Sequence, residues 1–145
     1  MPEIVANMVQ VHPFRVRNGT IEHLLLRRSR LEAFGAGVWQ VITGVIEPGE
    51  RSFEAARREL AEETGLNAEL WIALPGVAVF FFEPADQMIL SPMFACQLPA
   101  NCEPLLSEEH SEYAWLPREM ACSHLVYPTH IQGLNEVEAH GIVQI

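Results

Sequence analysis

An α/β fold with a mixed β-sheet and helices on its faces is what three features of the sequence predict. Apolar and β-branched stretches recur at strand length, a helical period occupies residues 52–64, and a second helical stretch follows near the C-terminal end. Strands and helices interleave without a regular strand-helix-strand repeat, which favours a mixed sheet over an all-parallel one. With 145 residues the chain can build one proper core and not two, so residues 1–145 read as a single domain.

The elements follow in order. "EIVANMVQVHPFRV" is strand-like, "NGT" at 18–20 is a turn signal and "IEHLLLRRS" returns, so a hairpin is the simplest construction. After the loop "RLEAFGAG", "VWQVITG" is a further short strand, and "EPGE" supplies the turn residues that lead into a helix. That helix should start at Ser52 as N-cap and run to Glu63 or Thr64, with Gly65 as the left-handed stop and Phe53, Ala56 and Leu60 as its apolar stripe. "LWIALPGVAVFFFE", "MILSPMFACQL" and "SEYAWLP" read as strands, and "YPTHIQGLNEVEAH" as a closing helix.

Composition narrows the function. A net charge of -10 and a pI near 4.9 have the wrong sign for holding a long nucleic acid by its phosphates. If the ligand is a phosphate ester, cations must mediate. No apolar run approaches the roughly 20 residues that cross a bilayer, and "MPEIVANMVQVHPF" has neither the basic start nor the apolar stretch of an export signal, so no membrane partner and a cytoplasmic location are expected. Cys96, Cys102 and Cys122 lack C-x-x-C spacing and read as free thiols, not a zinc site.

The helix poses a question of charge. Glu59, Glu62 and Glu63 fan over roughly a quarter to a third of its circumference, beside the apolar stripe. Glu54 and Arg58 form an i,i+4 pair, and Arg58 also reaches Glu62. Glu59 and Glu63 have no basic residue three or four positions away, which costs roughly 0.2–0.5 kcal/mol. They also crowd the negative end of the helix dipole. A solvated acidic face is the plain alternative. A hard divalent cation answers both objections, because Mg²⁺ prefers carboxylate oxygen and bridges to phosphates.

The stretch "GVIEPGERSFEAARRELAEETGL" resembles the signature of the Nudix hydrolases, G-x5-E-x7-R-E-U-x-E-E-x-G-U with U a bulky aliphatic residue. Gly44, Glu50, Arg58, Glu59, Leu60, Glu62, Glu63, Gly65 and Leu66 each match. The resemblance implies a Nudix-type α/β/α sandwich with a mixed sheet, and hydrolysis by water attacking phosphorus with Mg²⁺ bound, or Mn²⁺ in its place. By position it implies that Glu59, Glu62, Glu63 and the Gly44 carbonyl bind metal. Arg58 would orient Glu59 or a neighbour, Glu50 would support the loop–helix junction or stand behind the metal ligands, and Gly65 would give structural support. The base lies inside the box in some members and outside in others, and Glu109 in "SEEHSEYAWLP" is the outside candidate, with a polar loop as the plain alternative.

Substrate choice must come from outside the box. Arg27 and Arg28 alternate across a strand, so one faces the site and can contact phosphate. Trp39 and Phe80-Phe81-Phe82 are candidates for an aromatic wall, against a core role. His110 is the one histidine beside the site in sequence terms. Trp39-Gln40, Thr43, "LLLRRS" and "EEHSEYAWLP" are similar to the dihydroneopterin triphosphate pyrophosphatase branch, which also cleaves nucleoside triphosphates such as dATP between the α and β phosphates. A dinucleoside polyphosphate or an RNA 5′ end is the alternative substrate, because Trp39-Gln40 precedes the box there too. A nucleotide-binding module without turnover is the alternative of another class. Oligomeric state is not readable.

Overall fold

The computed structural model describes residues 1–31 and 35–140. Strands β1 (Glu3–Val5), β2 (Met8–Arg17), β3 (Thr20–Arg28), β4 (Trp39–Gln40), β5 (Ile42–Val45), β6 (Leu70–Phe82), β7 (Gln87–Gln97) and β8 (His110–Leu116) join one 8-stranded sheet. Helices α1 (Ser52–Thr64), α2 (Arg118–His124) and α3 (Pro128–Ala139) pack against it. The sheet order is β1-β7-β2-β3-β4, with β5 on β2, β6 on β7 and β8 on β3. β7 runs parallel to β1 and β2, and the other pairings are antiparallel, so the sheet is mixed as expected. The loop expected at "RLEAFGAG" includes residues 32–34, which lie outside the described residues.

Local chemistry sets the boundaries. The β2–β3 hairpin turns on Asn18 and Gly19, at φ 52° and 75°, as a two-residue turn with both centres left-handed requires. The expected strand "VWQVITG" is in fact two: β4 pairs with β3, β5 pairs with β2, and the chain crosses between them at Val41, whose N–H donates to His130 Nδ1 at 3.3 Å. Ser52 is the first helical residue of α1, and the N-cap position falls to Arg51, in extended conformation with no side-chain cap bond. The junction is held from further along the helix by Arg58, as described below. The stop at Gly65 is as expected: φ is 68° and its N–H donates to Ala61 O at 2.9 Å. α2 was not foreseen.

The sheet is covered on both sides, which explains why Leu24, Leu25 and Leu26 are all buried. Leu24 and Leu26 pack with Val11, Ile42, Ala56 and Leu60 beneath α1. Leu25 points the other way, to Val41, Ala121, Leu125 and Leu134 of the α2–α3 side. Phe14, Ala78, Met93 and Val137 extend the core under α3. Of the expected α1 stripe, Ala56 and Leu60 are buried, whereas Phe53 lies at the edge, ring against Trp71 and Phe94. Burying a leucine side chain such as that of Leu60 contributes roughly 1.5–3 kcal/mol.

Candidate active site

β5 delivers adjacent residues to opposite faces of the sheet. Gly44 pairs with Val9 and faces α1, while Thr43 pairs with Gln10 and faces the α3 side. At Gly44 a Cβ would overlap the Glu59 carboxyl, so the bare backbone is what lets that side chain lie against the sheet. Glu59 is 8% exposed, and burial pushes its carboxyl up to about 7.

Arg58 organises the edge of α1. Its Nε and one terminal nitrogen bind both oxygens of Glu50, at 2.8 and 2.9 Å. The same terminal nitrogen donates to Val45 O at 2.8 Å, and the other reaches Glu59 at 3.0 Å and Glu62 at 3.2 Å. Loop, strand and helix are thus tied by one fork-shaped cation. The Arg58 hydrogen bonds hold the Glu50 carboxyl down at about 2. The expected Glu54–Arg58 pair is not among these contacts, because the guanidinium turns back to the loop. Glu59, expected to lack a cation, has its neighbour Arg58 instead.

Glu63, 5% exposed, is met from the other side by residues distant in sequence. Ser107 Oγ donates to its Oε2 at 2.9 Å, and His110 Nδ1 lies 2.7 Å from the same oxygen, oblique to it and with no aligned acceptor. Burial alone pushes the Glu63 carboxyl up, but the contacts with His110 and Ser107 outweigh it and hold the group below the ordinary carboxylate range. Glu109 goes the opposite way, raised by partial burial and then by the charge of Glu63. Glu63, Glu109 and His110 bring ligand atoms within 4.8 Å of one another.

The expected metal set is therefore distributed. Among the described residues Glu63 groups with Glu109 and His110, whereas Glu59 and Glu62 share Arg58 and Gly44 underlies Glu59. The donors suit a divalent cation: they are hard carboxylate oxygens, and two of the groups, Glu59 and Glu63, are buried. His110 is the site residue that sequence reasoning left without a role, and its place beside Glu109 was the one available signal.

A cavity of about 620 Å³ opens on the α3 side, lined among others by Gln10, Arg28, Gln40, Thr43, Phe80 and Tyr127. The β3–β8 pairing shifts register between Arg27 and Arg28, which breaks the strand's alternation, and Arg28 lines this cavity. Arg27 points elsewhere, donating to Gly37 O at 3.0 Å and to Glu112 at 3.2 Å. Trp39 does not line the cavity; its ring meets His124 edge-on at 5.8 Å, because β4 presents it to α2. Phe80, Phe81 and Phe82 all line the cavity, with Phe81 and Phe82 half exposed.

Fold and site together define an α/β protein with helix-borne carboxylates set against a mixed sheet and a cavity close to them, bordered by Arg28 and Gln40. The chain belongs to the Nudix family, whose NUDIX domain model matches residues 7–136, and it is a Nudix hydrolase. An asymmetrical bis(5′-nucleosyl)-tetraphosphatase of Mus musculus is 36% identical over 110 residues, 74% of this chain and 72% of that protein. A Myxococcus xanthus protein named octanoyltransferase is 36% identical over 120 residues, 81% of this chain but 32% of its own length. Among solved structures, a Caenorhabditis elegans Ap4A hydrolase complex superposes with TM-score 0.77 at 24% identity, covering 94% of this chain and 97% of that one. The Escherichia coli dihydroneopterin triphosphate pyrophosphohydrolase gives TM-score 0.77 at 20% identity, covering 94% and 99%. No helix among the described residues is long and apolar enough to cross a membrane.

Proposed function

We propose that this chain is a single-domain, Mg²⁺-dependent pyrophosphohydrolase that cleaves a small nucleoside-triphosphate-like molecule, a pterin triphosphate or a dNTP, to a monophosphate and pyrophosphate. The observation that carries the reading is the pairing of buried carboxylates on α1 with a roomy cavity that has aromatic walls from Phe80 and Tyr127 and polar groups from Arg28 and Gln40.

Glu59, Glu62 and Glu63 hold the cation, with the Gly44 carbonyl beside them. When bound, the ion neutralises phosphate oxygens and makes water more acidic. Arg58 orients Glu59, and Glu50 fixes Arg58 in turn. Glu109 accepts the proton of the attacking water; its raised carboxyl, beside the charge of Glu63, is a better base than an ordinary carboxylate. Arg28 meets a phosphate oxygen, and the aromatic ring of the substrate lies between Phe80 and Tyr127.

A second reading, a dinucleoside polyphosphate as substrate, is favoured by the mouse relative and by the half-exposed rim of Phe81, Phe82 and Tyr127 at the cavity. Product identification separates the two. The protein is incubated with Mg²⁺ and a panel of dihydroneopterin triphosphate, dNTPs, ADP-ribose and diadenosine polyphosphates. Pyrophosphate with a monophosphate from the pterin or a dNTP supports the first reading, and preferential asymmetric cleavage of the dinucleotide supports the second. Nucleotide binding with no cleavage of any compound would overturn both in favour of a sensor module.

A further inference from the structure

The buried contacts behind Glu63 do not end at His110. Gln40 Nε2 lies 2.9 Å from His110 Nε2, and Gln40 itself is 6% exposed at the lining of the cavity. A chain of three side chains thus runs from the cavity wall on β4, through the first residue of β8, to a carboxylate of α1. β4 and β8 flank β3 on opposite edges, and the first two side chains meet across that strand.

We propose that Gln40 and His110 are positioning residues for Glu63, an inference that rests on the hydrolase reading above. With a lone pair on Nδ1, the ring would face a carboxylate oxygen at 2.7 Å, lone pair to lone pair, so Nδ1 carries the proton. A neutral ring then leaves Nε2 as an acceptor, and the Gln40 amide donates to it. Gln40 thereby fixes both the tautomer and the tilt of the ring.

Ser107 Oγ and His110 Nδ1 converge on the same oxygen, Oε2, so Oε1 is the Glu63 oxygen presented to a cation. The oblique His110 contact straightens with a small turn of the carboxylate, the adjustment that ion binding asks of it. Outer partners of this kind typically change metal affinity or activity by roughly 10–100-fold when lost.

Two measurements test the relay. Long-range ¹H–¹⁵N correlation on the cation-free protein at pH 8 reads the His110 tautomer, and Nδ1–H with Nε2 bare is expected; a proton on Nε2, alone or with one on Nδ1, overturns the proposal. Kinetics with the best substrate of the panel compare Gln40→Leu, His110→Leu and His110→Asn. The first two are expected to lose roughly 10–100-fold in kcat and to need more Mg²⁺ for half-activation, with KM little changed. Asn, whose amide N–H sits near the place of Nδ1–H, should recover a good part of that loss. Equal losses in the Asn and Leu variants, or a change confined to KM, would overturn the relay. Thermal unfolding accompanies each variant, and a variant that does not fold is replaced by Gln40→Met or His110→Gln, the latter expected to behave as Leu does. If the wild-type protein cleaves nothing, the hydrolase reading fails while the tautomer still decides the relay.

Discussion

Gly44 and Glu59 are set against each other so closely that there is no room for a larger side chain at position 44. In Gly44→Ala the new methyl must displace the Glu59 carboxyl, because the opposing atoms belong to a buried side chain held by Arg58. Overpacking of this kind costs roughly 1–3 kcal/mol, and a misplaced cation ligand costs turnover as well. Gly44→Ala is expected to lose at least tenfold in kcat, read with Mg²⁺ at saturation, with a lowered thermal midpoint. Glu59→Gln has the opposite signature. It removes a buried charge and keeps the shape, so stability at pH 8 holds or rises while turnover falls steeply. A parallel loss of fold and activity in Glu59→Gln would count against a role in cation binding.

At the scale of elements, α1 depends on its two ends being fastened differently. Its start is closed by Arg58 reaching back to Glu50 and Val45 O, a geometry that needs a planar fork. Arg58→Lys keeps the charge but cannot bridge both Glu50 oxygens while also meeting Glu59. Turnover is expected to fall roughly 10–100-fold. Its end is closed by Gly65 at φ 68°, so Gly65→Ala should destabilise the fold by about 1 kcal/mol, measured by urea unfolding, with kcat far less affected than in Arg58→Lys.

These elements also mark where sequence reasoning stops. The Gly65 stop and the Asn18–Gly19 turn were legible because left-handed backbone is a local demand that few residues meet. The face shared by Glu59, Glu62 and Glu63 followed from helical period alone. Arg58 was misread toward Glu54 because a long side chain at a helix edge chooses among partners that only the folded loop supplies. α2 was hidden because Arg118–His124 is two turns long and buries a single residue, Ala121. The meeting of His110 with Glu63 and Gln40 was illegible for another reason: it depends on which strands pair, and no local pattern encodes that.

For the molecule as a whole, the buried histidines set an acid limit. Burial holds His12, His23 and His130 below the ordinary histidine value, His130 at about 4, although Glu138 pulls His23 partly back. The unfolded chain takes up these protons near 6.5 and the folded chain does not, so stability is fully present above that value and is lost as pH falls toward 4. At pH 5.5 His130 alone accounts for roughly 1 kcal/mol, and His12 and His23 act in the same direction. Glu59 opposes them: its folded value of about 7 lies above the unfolded one, so acid relieves its burial. Urea unfolding of Glu59→Gln at pH 7.5 and 5.5 removes that offset. A clear drop in stability at the lower pH is expected, and it should shrink in Glu59→Gln combined with His130→Gln.

The bare face of β5 at Gly44 bears, finally, on motion. A carboxylate seated on main-chain atoms has no intervening side chain whose rotamer jumps could blur its place, so the positional spread of Glu59 is that of the sheet. Warming then does not loosen the acidic edge ahead of the rest. The centre stays sharp until β2 and β5 part, and its loss reports melting of the whole sheet, not fraying of one helix.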